Sequence, residues 1–192
     1  LGVPQPLVLY VGTLEPRKNV DTLVRAFARL RRRTGLPHCL ALVGGKGWMY
    51  ERIFRTIEDE ELSDAVLLPG YVPGEQLPLW YNAAELFVYP SQYEGFGLPP
   101  LEAMACGTPV VTSTTSSLPE VVGDAGLTVA PDSVDALVAA MEQVLTRPAL
   151  AQELRERGLA RATSFSWMAT ARECVRAYYD AAARRVAPVP AQ

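Results

Sequence analysis

Leu86-Phe87-Val88-Tyr89-Pro90-Ser91-Gln92-Tyr93-Glu94-Gly95-Phe96-Gly97-Leu98-Pro99-Pro100-Leu101-Glu102 is the stretch that decides the fold. Its first four residues are an apolar run of the length of a buried strand. Glu94-Gly95-Phe96-Gly97 is a glycine turn, and a helix is expected from Leu101 to Cys106. Pro109-Val110-Val111-Thr112 reads as the next strand. A strand, a glycine loop and a helix start make an anion site, because free N–H groups and the positive dipole end converge there. Glu94 and Glu102 flank that site and need a different task. A ligand with phosphates at its centre and hydroxyls at both ends supplies one, and a nucleotide sugar has that shape.

The same alternation runs outward in both directions. Leu7–Val11 is an apolar strand ending at Gly12, and Asn19 is expected to cap a helix carrying Val20, Leu23, Val24, Phe27 and Leu30 at helical spacing. Cys39–Val43 is a second strand, ending at Gly44-Gly45-Lys46-Gly47. A helix from Tyr50 to Glu60, a strand Val66–Leu68, a helix from Gln76 to Asn82 and an edge strand Leu127–Val129 complete the pattern. Three further helices are expected over Val134–Leu145, Ala149–Ala162 and Trp167–Arg184. Apolar strands alternating with amphipathic helices imply an α/β fold, a Rossmann-like parallel sheet with helices on both faces. Residues 1–185 read as one domain and residues 186–192 as a disordered tail.

Composition narrows the function. The chain has 192 residues, 49% hydrophobic and 20% charged, as an ordinary globular domain does. A net charge of −3 and a pI near 5.3 speak against nucleic acid as a partner. No apolar run approaches the ~20 residues needed to span a bilayer, and no signal-peptide pattern opens the chain. Cys39, Cys106 and Cys174 are odd in number and widely spaced, so buried free thiols and a reducing cytoplasm are expected. No Asp-x-Asp and no His/Cys cluster is present, so no metal and no other cofactor is expected. The one histidine, His38, reads as structural.

Five blocks resemble the C-terminal, donor-binding domain of the retaining glycosyltransferases of family four, one half of a GT-B fold. The first is Glu94-Gly95-Phe96-Gly97 through Glu102-Ala103-Met104-Ala105-Cys106-Gly107-Thr108-Pro109-Val110-Val111, with its Glu-x7-Glu spacing. The others are Val11-Gly12-Thr13-Leu14-Glu15-Pro16-Arg17-Lys18-Asn19, the glycine loop after Val43, Pro69-Gly70-Tyr71-Val72, and Leu118-Pro119-Glu120-Val121-Val122-Gly123. They run collinearly over nearly the whole chain. The resemblance implies an N-terminal acceptor domain that this chain does not include.

From the residues alone, Arg17 and Lys18 are either two surface charges or a diphosphate clamp, and Glu102 is either a solvated helix residue or a diol acceptor. The resemblance implies the second role in each case. Arg17, Lys18 and Glu94 then form the catalytic set, with Glu94 near the donor sugar. Gly12, Tyr71, Val72, Gly95, Phe96, Gly97, Leu98 and Glu102 become donor-binding residues, Tyr71 and Val72 near the base and Glu102 on the ribose. Phe96 is expected to pack rather than stack. Lys46 is open between a phosphate contact and a loop charge, and Tyr50 in the last glycine place weakens a dinucleotide reading.

The implied substrate is a GDP- or UDP-linked sugar, with a lean toward mannosyl transfer. An acceptor sugar or glycolipid would be held by the missing domain, and the full-length protein would have room for peripheral membrane association. A glycosidase built on Glu94 and Glu102, a sugar-nucleotide epimerase, and a binding module without turnover stand as alternatives.

Overall fold

A computed structural model describes residues 2–186 of the chain. They fall into two units, one up to Ala162 and one from Thr163 onward.

The first unit is built on six parallel strands: β1 (Leu7–Val11), β2 (Cys39–Val43), β3 (Val66–Gly70), β4 (Leu86–Tyr89), β5 (Val110–Ser113) and β6 (Gly126–Val129). Their order is β3-β2-β1-β4-β5-β6, and every pairing is parallel. All residues of β1, β4 and β5 are buried, and β1 and β4 accordingly read as unbroken apolar runs rather than alternating ones. The edge strand β6 is half-exposed and less apolar.

Seven helices cover the sheet: α1 (Val20–Thr34), α2 (Glu51–Asp59), α3 (Leu77–Ala83), α4 (Leu98–Ala105), α5 (Leu118–Val122), α6 (Val134–Thr146) and α7 (Pro148–Ala162). Helix α1 packs with α2 and α6, while α3, α5 and α7 pack against α4. The apolar stripe Val20, Leu23, Val24, Phe27 and Leu30 of α1 is buried as its spacing predicts. Gly35, left-handed at φ 68°, ends that helix, and its N–H bonds the Arg31 carbonyl.

Three local expectations are corrected. Asn19 does not cap α1 with its side chain; it is left-handed at φ 57°. Its amide instead donates to the carbonyls of Pro90 and Pro131, and its Oδ1 accepts from the Thr22 hydroxyl. Helix α4 starts at Leu98 rather than Leu101, because prolines in a first turn forfeit no N–H the helix would use. The thiols are free, but Cys39 and Cys106 are only half-buried and Cys174 is exposed.

The second unit is carried by α8 (Trp167–Val186), whose Ser166 hydroxyl caps the first turn through the Ala169 amide. Trp167, Met168, Val175, Tyr178 and Tyr179 are exposed. The expected disordered tail begins at the last residue of this helix, and its positions 187–192 lie outside the described residues. Among the described residues no helix is long and apolar enough to cross a membrane.

Candidate functional site

The strand order reverses between β1 and β4, which are neighbours in the sheet. Loops leaving these two strands diverge, and such a switch point opens a crevice at the carboxyl ends of the strands. The loop after β1 carries Gly12 to Asn19, and the loop after β4 carries Pro90 to Gly97.

Close backbone packing builds the first wall. The Gly12 N–H donates to the Val43 carbonyl, Leu14 N–H to Gly45, and Gly47 N–H to Leu14. Gly44, at φ 146°, sits so near that a Cβ there would lie 2.0 Å from the Gly12 carbonyl oxygen. The two loops are therefore laced together by main chain, which no side chain at Gly44 would allow.

Pro16–Lys18 makes one 3₁₀ turn, and from it two adjacent cations reach the same carboxylate. Lys18 Nζ donates to Glu94 Oε1 at 2.7 Å and to the Tyr89 hydroxyl at 2.7 Å. Arg17 Nη1 lies 3.2 Å from Glu94 Oε2 and donates to the Tyr93 carbonyl, while Nη2 donates to Glu15 Oε1 at 2.7 Å. Lys18 is buried, but the Arg17 side chain is 41% exposed.

Glu94 is the hub. It is buried, and its Oε1 also accepts from the Ser91 hydroxyl at 2.6 Å. Its N–H donates to Ser116 Oγ, and its carbonyl accepts from Ser117 Oγ. Burial alone would raise its pKa. Hydrogen bonds from Lys18 and Ser91 and the Lys18 charge outweigh that, and the carboxyl titrates below its ordinary value.

Glu102 stands one turn into α4 and is exposed, with Oε2 accepting from the Tyr81 hydroxyl at 2.7 Å. Gly97, at φ 107°, precedes the helix, and a Cβ there would strike Leu118 at 2.8 Å. The amides of Gly95 and Gly97 find no protein acceptor among the described residues, and α4 is long enough for its dipole to count. Leu98 is 43% exposed at the helix start. Phe96 is 42% exposed, and its carbonyl accepts from the Ser117 hydroxyl.

Thus Arg17, Lys18 and Glu94 are in direct contact, and Gly12, Gly95, Gly97, Leu98 and Glu102 lie on the two loops and helix of the same crevice. Tyr71 and Val72 follow β3, two strands out from β1. Tyr71 is 78% exposed, and Val72 packs partly on the core. The Gly44 N–H bond to the Gly70 carbonyl links the end of β3 to the loop after β2. Lys46 lies over the rings of Tyr50 and Phe54, at 4.8 Å and 5.0 Å, a cation–π seat. His38 is buried, with Nε2 3.1 Å from Glu85 Oε2. Among the described residues no group of three or more His, Cys, Asp or Glu is placed to hold a metal ion.

Sequence reasoning missed the supports of the site. Ser91, Ser116, Ser117, Tyr81, Tyr89 and Glu15 all bond to the residues named above. One signal was available: six hydroxyl residues in a row, Thr112 to Ser117, starting within β5 and running past its end. Its first two members are buried, and their hydroxyls donate to the carbonyls of Tyr89 and Ser91.

Residues 2–161 match the family model described as glycosyl transferases group 1. The chain belongs to this family. It is 46% identical over 174 residues to the O-antigen chain mannosyltransferase B of Escherichia coli, covering 91% of this chain and 46% of that protein. Among solved structures, sucrose-phosphate synthase of Thermosynechococcus elongatus superposes with a TM-score of 0.83 at 36% identity. That match covers 95% of this chain and 47% of the other. The C-terminal domain of a group 1 glycosyl transferase from Francisella tularensis gives a TM-score of 0.72 at 20% identity, covering 82% and 84%. The fold is therefore the Rossmann-like half of GT-B glycosyltransferases, as the sequence predicts. The chain spans about half the length of the longer relatives. The family match leaves the glycosidase and epimerase readings without support.

Proposed function

We propose that this chain is the donor-binding domain of a retaining glycosyltransferase, taking a nucleoside-diphosphate sugar into the crevice between β1 and β4. The observation that carries this is the convergence of Arg17 and Lys18 on Glu94 beside the α4 start. An ammonium has three donors, and two of those of Lys18 are taken, so one is left for a phosphate. Arg17 keeps its Nε–H and one Nη2–H beyond its three protein contacts. Together with the Gly95 and Gly97 amides they make a fixed positive cradle.

In transfer, the bond between the anomeric carbon and the β-phosphate oxygen breaks, and charge gathers on the departing diphosphate. Arg17 and Lys18 stabilise that charge where it develops, a role worth roughly 2.7–4 kcal/mol per well-placed donor. The acceptor oxygen forms its bond on the same face, and its proton passes to the leaving phosphate. Glu102, with one oxygen held by Tyr81, offers the other to the ribose diol. Tyr71 and Val72 border the base through backbone groups, and Glu94 lies toward the sugar.

Mannose is the first sugar to test, because the 46%-identical relative is a mannosyltransferase by name. GDP and UDP are the two carriers to compare. The acceptor, a sugar or glycolipid, would be held by an N-terminal domain, and the whole enzyme would work at the cytoplasmic face of a membrane. Three free thiols fit that compartment. Calorimetric titration with GDP, UDP and ADP, with and without EDTA, tests the reading. One diphosphate should bind, and chelation should leave its affinity unchanged. Failure of all three to bind, or rescue of binding only by a divalent cation, would sink it.

A further inference from the structure

Beneath the crevice the first unit carries a stack of four aromatic rings. Tyr10 on β1 and Tyr89 on β4 have centroids 5.8 Å apart and planes 17° apart. Phe87 lies two residues before Tyr89, on the same face of the strand, and stacks on it at 5.9 Å. Tyr81 of α3 meets Phe87 edge-on at 5.5 Å. All four rings are at most 1% exposed. Rings packed this closely hold their tips at fixed points.

Two of those tips leave the stack toward charged groups of the site. The Tyr89 hydroxyl accepts from Lys18 Nζ at 2.7 Å, and the Tyr81 hydroxyl donates to Glu102 Oε2 at 2.7 Å. Burial, and then the charge of the nearby glutamate, pushes both phenols well above the ordinary tyrosine range. Each therefore stays an intact O–H at any working pH.

We propose that Tyr81 and Tyr89 are positioning residues for the donor: Tyr89 aims the Lys18 ammonium at the diphosphate, and Tyr81 aims the Glu102 carboxylate at the ribose. This rests on the function proposed above. Lysine carries a four-carbon stem with much rotamer freedom, and Glu94 alone would leave its remaining N–H directions free to rotate. A second bond to Tyr89 sets the third N–H. Glu102 is exposed, and among the described residues its side chain bonds only Tyr81. The bond to Oε2 restrains the carboxylate and leaves Oε1 for a ligand. Because both hydroxyls ride on one stack, the spacing between phosphate anchor and ribose anchor is set by packed rings rather than by loops.

The competing account is that each hydroxyl merely satisfies a buried phenol. Tyr81→Phe and Tyr89→Phe separate the two, with Tyr10→Phe as control, since the Tyr10 hydroxyl bonds the Thr13 carbonyl and no charged side chain among the described residues. The probes are GDP, guanosine and 2′,3′-dideoxy-GDP, or the uridine series if UDP binds the wild-type chain more tightly. Tyr89→Phe should lose about tenfold in GDP affinity, a typical charge-assisted bond, and hold guanosine as before. Tyr81→Phe should weaken GDP and guanosine alike and leave the dideoxy compound unchanged. Tyr10→Phe should lower the melting temperature with no selective loss. Equal losses across all probes, or no loss, in the two site variants would overturn the proposal. Arg17→Ala and Glu102→Gln are run on the same probes. If they discriminate and the phenylalanine variants do not, positioning alone fails. If they do not discriminate either, the site reading fails and takes this inference with it.

Discussion

Lys18 Nζ and Glu94 Oε1 lie 2.7 Å apart with both side chains about nine-tenths buried, and this pair ties the loop after β1 to the loop after β4. A buried pair contributes little beyond what a well-packed apolar pair would, yet removing one partner strands a charge and costs about 3–5 kcal/mol. The pair is therefore a poor stabiliser and a strong constraint. It holds an ammonium and a carboxylate at a place where a binding site needs both.

Acid should weaken the fold through Glu94. Its folded pKa is lowered, so the stability it contributes is complete above the ordinary carboxylate value of 4.5 and is lost as pH falls through the lowered folded value. At the alkaline end the sign reverses. Tyr10, Tyr81 and Tyr89 have raised folded values, so their contribution is complete below about 10 and fades as pH rises beyond it. Urea midpoints across pH check both limbs. Glu94→Gln should flatten the acid limb, and tyrosinate absorbance from these three rings should appear only with unfolding. An acid limb of the same slope in Glu94→Gln would refute the assignment.

Phosphate and ribose recognition should separate by mutation. Arg17→Ala should weaken diphosphate binding by about 1.5–3 kcal/mol, the range for hydrogen bonds to charged groups, and leave nucleoside affinity nearly unchanged. Glu102→Gln should harm nucleoside and diphosphate alike. Calorimetry with both ligands decides it, and equal losses of the two in Arg17→Ala would end the division of labour.

The chain alone should bind but not transfer. The proposed donor crevice is built from its residues, and it spans 46% of its mannosyltransferase relative. Turnover of a radiolabelled nucleotide sugar onto an added acceptor, at a rate above hydrolysis, would show that no second domain is required.

Why the sheet was legible and the supports of the site were not is a matter of range. Strands β1, β2 and β4 match their apolar runs residue for residue, because burial on both faces demands apolar side chains at consecutive positions. Strand β3 runs on to Gly70 past Pro69, since the ladder continues through the Gly44 N–H, which no local pattern reveals. Helix α5 has five residues and opens with a proline in its first turn, too short for a period to show. Arg17, Lys18, Glu94 and Glu102 stood out because the resemblance gave them roles, while from the residues alone Arg17, Lys18 and Glu102 kept an ordinary surface reading as well. Tyr89 and Ser91 did not, since a tyrosine in a strand and a serine in a loop are ordinary. Lys18 and Tyr89 are 71 positions apart, and only the fold brings them together.

Helix α8 should exchange its amide hydrogens early. Trp167, Met168, Val175, Tyr178 and Tyr179 are between 50% and 77% exposed, so little apolar burial supports its backbone bonds. Exchange read by mass spectrometry should be faster from Ala171 to Tyr179 than in β1. Equal protection of the two segments in a demonstrated monomer would contradict this.

Two neighbouring glycines give the sharpest test of the loop architecture. At Gly44 a Cβ would lie 2.0 Å from the Gly12 carbonyl oxygen and 2.6 Å from its carbon, and the backbone is at φ 146°. Both partners are main chain, so no side chain can swing aside. Gly44→Ala must push the β1 and β2 loops apart or force a strained backbone, at a cost of about 2–4 kcal/mol. At Gly45 a Cβ meets nothing within 4 Å, and alanine there should change stability by less than about 0.5 kcal/mol. The consequences for binding follow from the lacing. Gly12, Leu14 and the turn that carries Arg17 and Lys18 take their position from bonds to Val43 and Gly45, so displacing Gly44 should displace the clamp. Gly44→Ala is thus expected to lose diphosphate affinity under conditions where it is still folded, and Gly45→Ala to keep it. Chemical denaturation gives the first quantity and calorimetry the second. A Gly44→Ala chain as stable as Gly45→Ala and equally tight for the diphosphate would show that the two loops are not held by that contact.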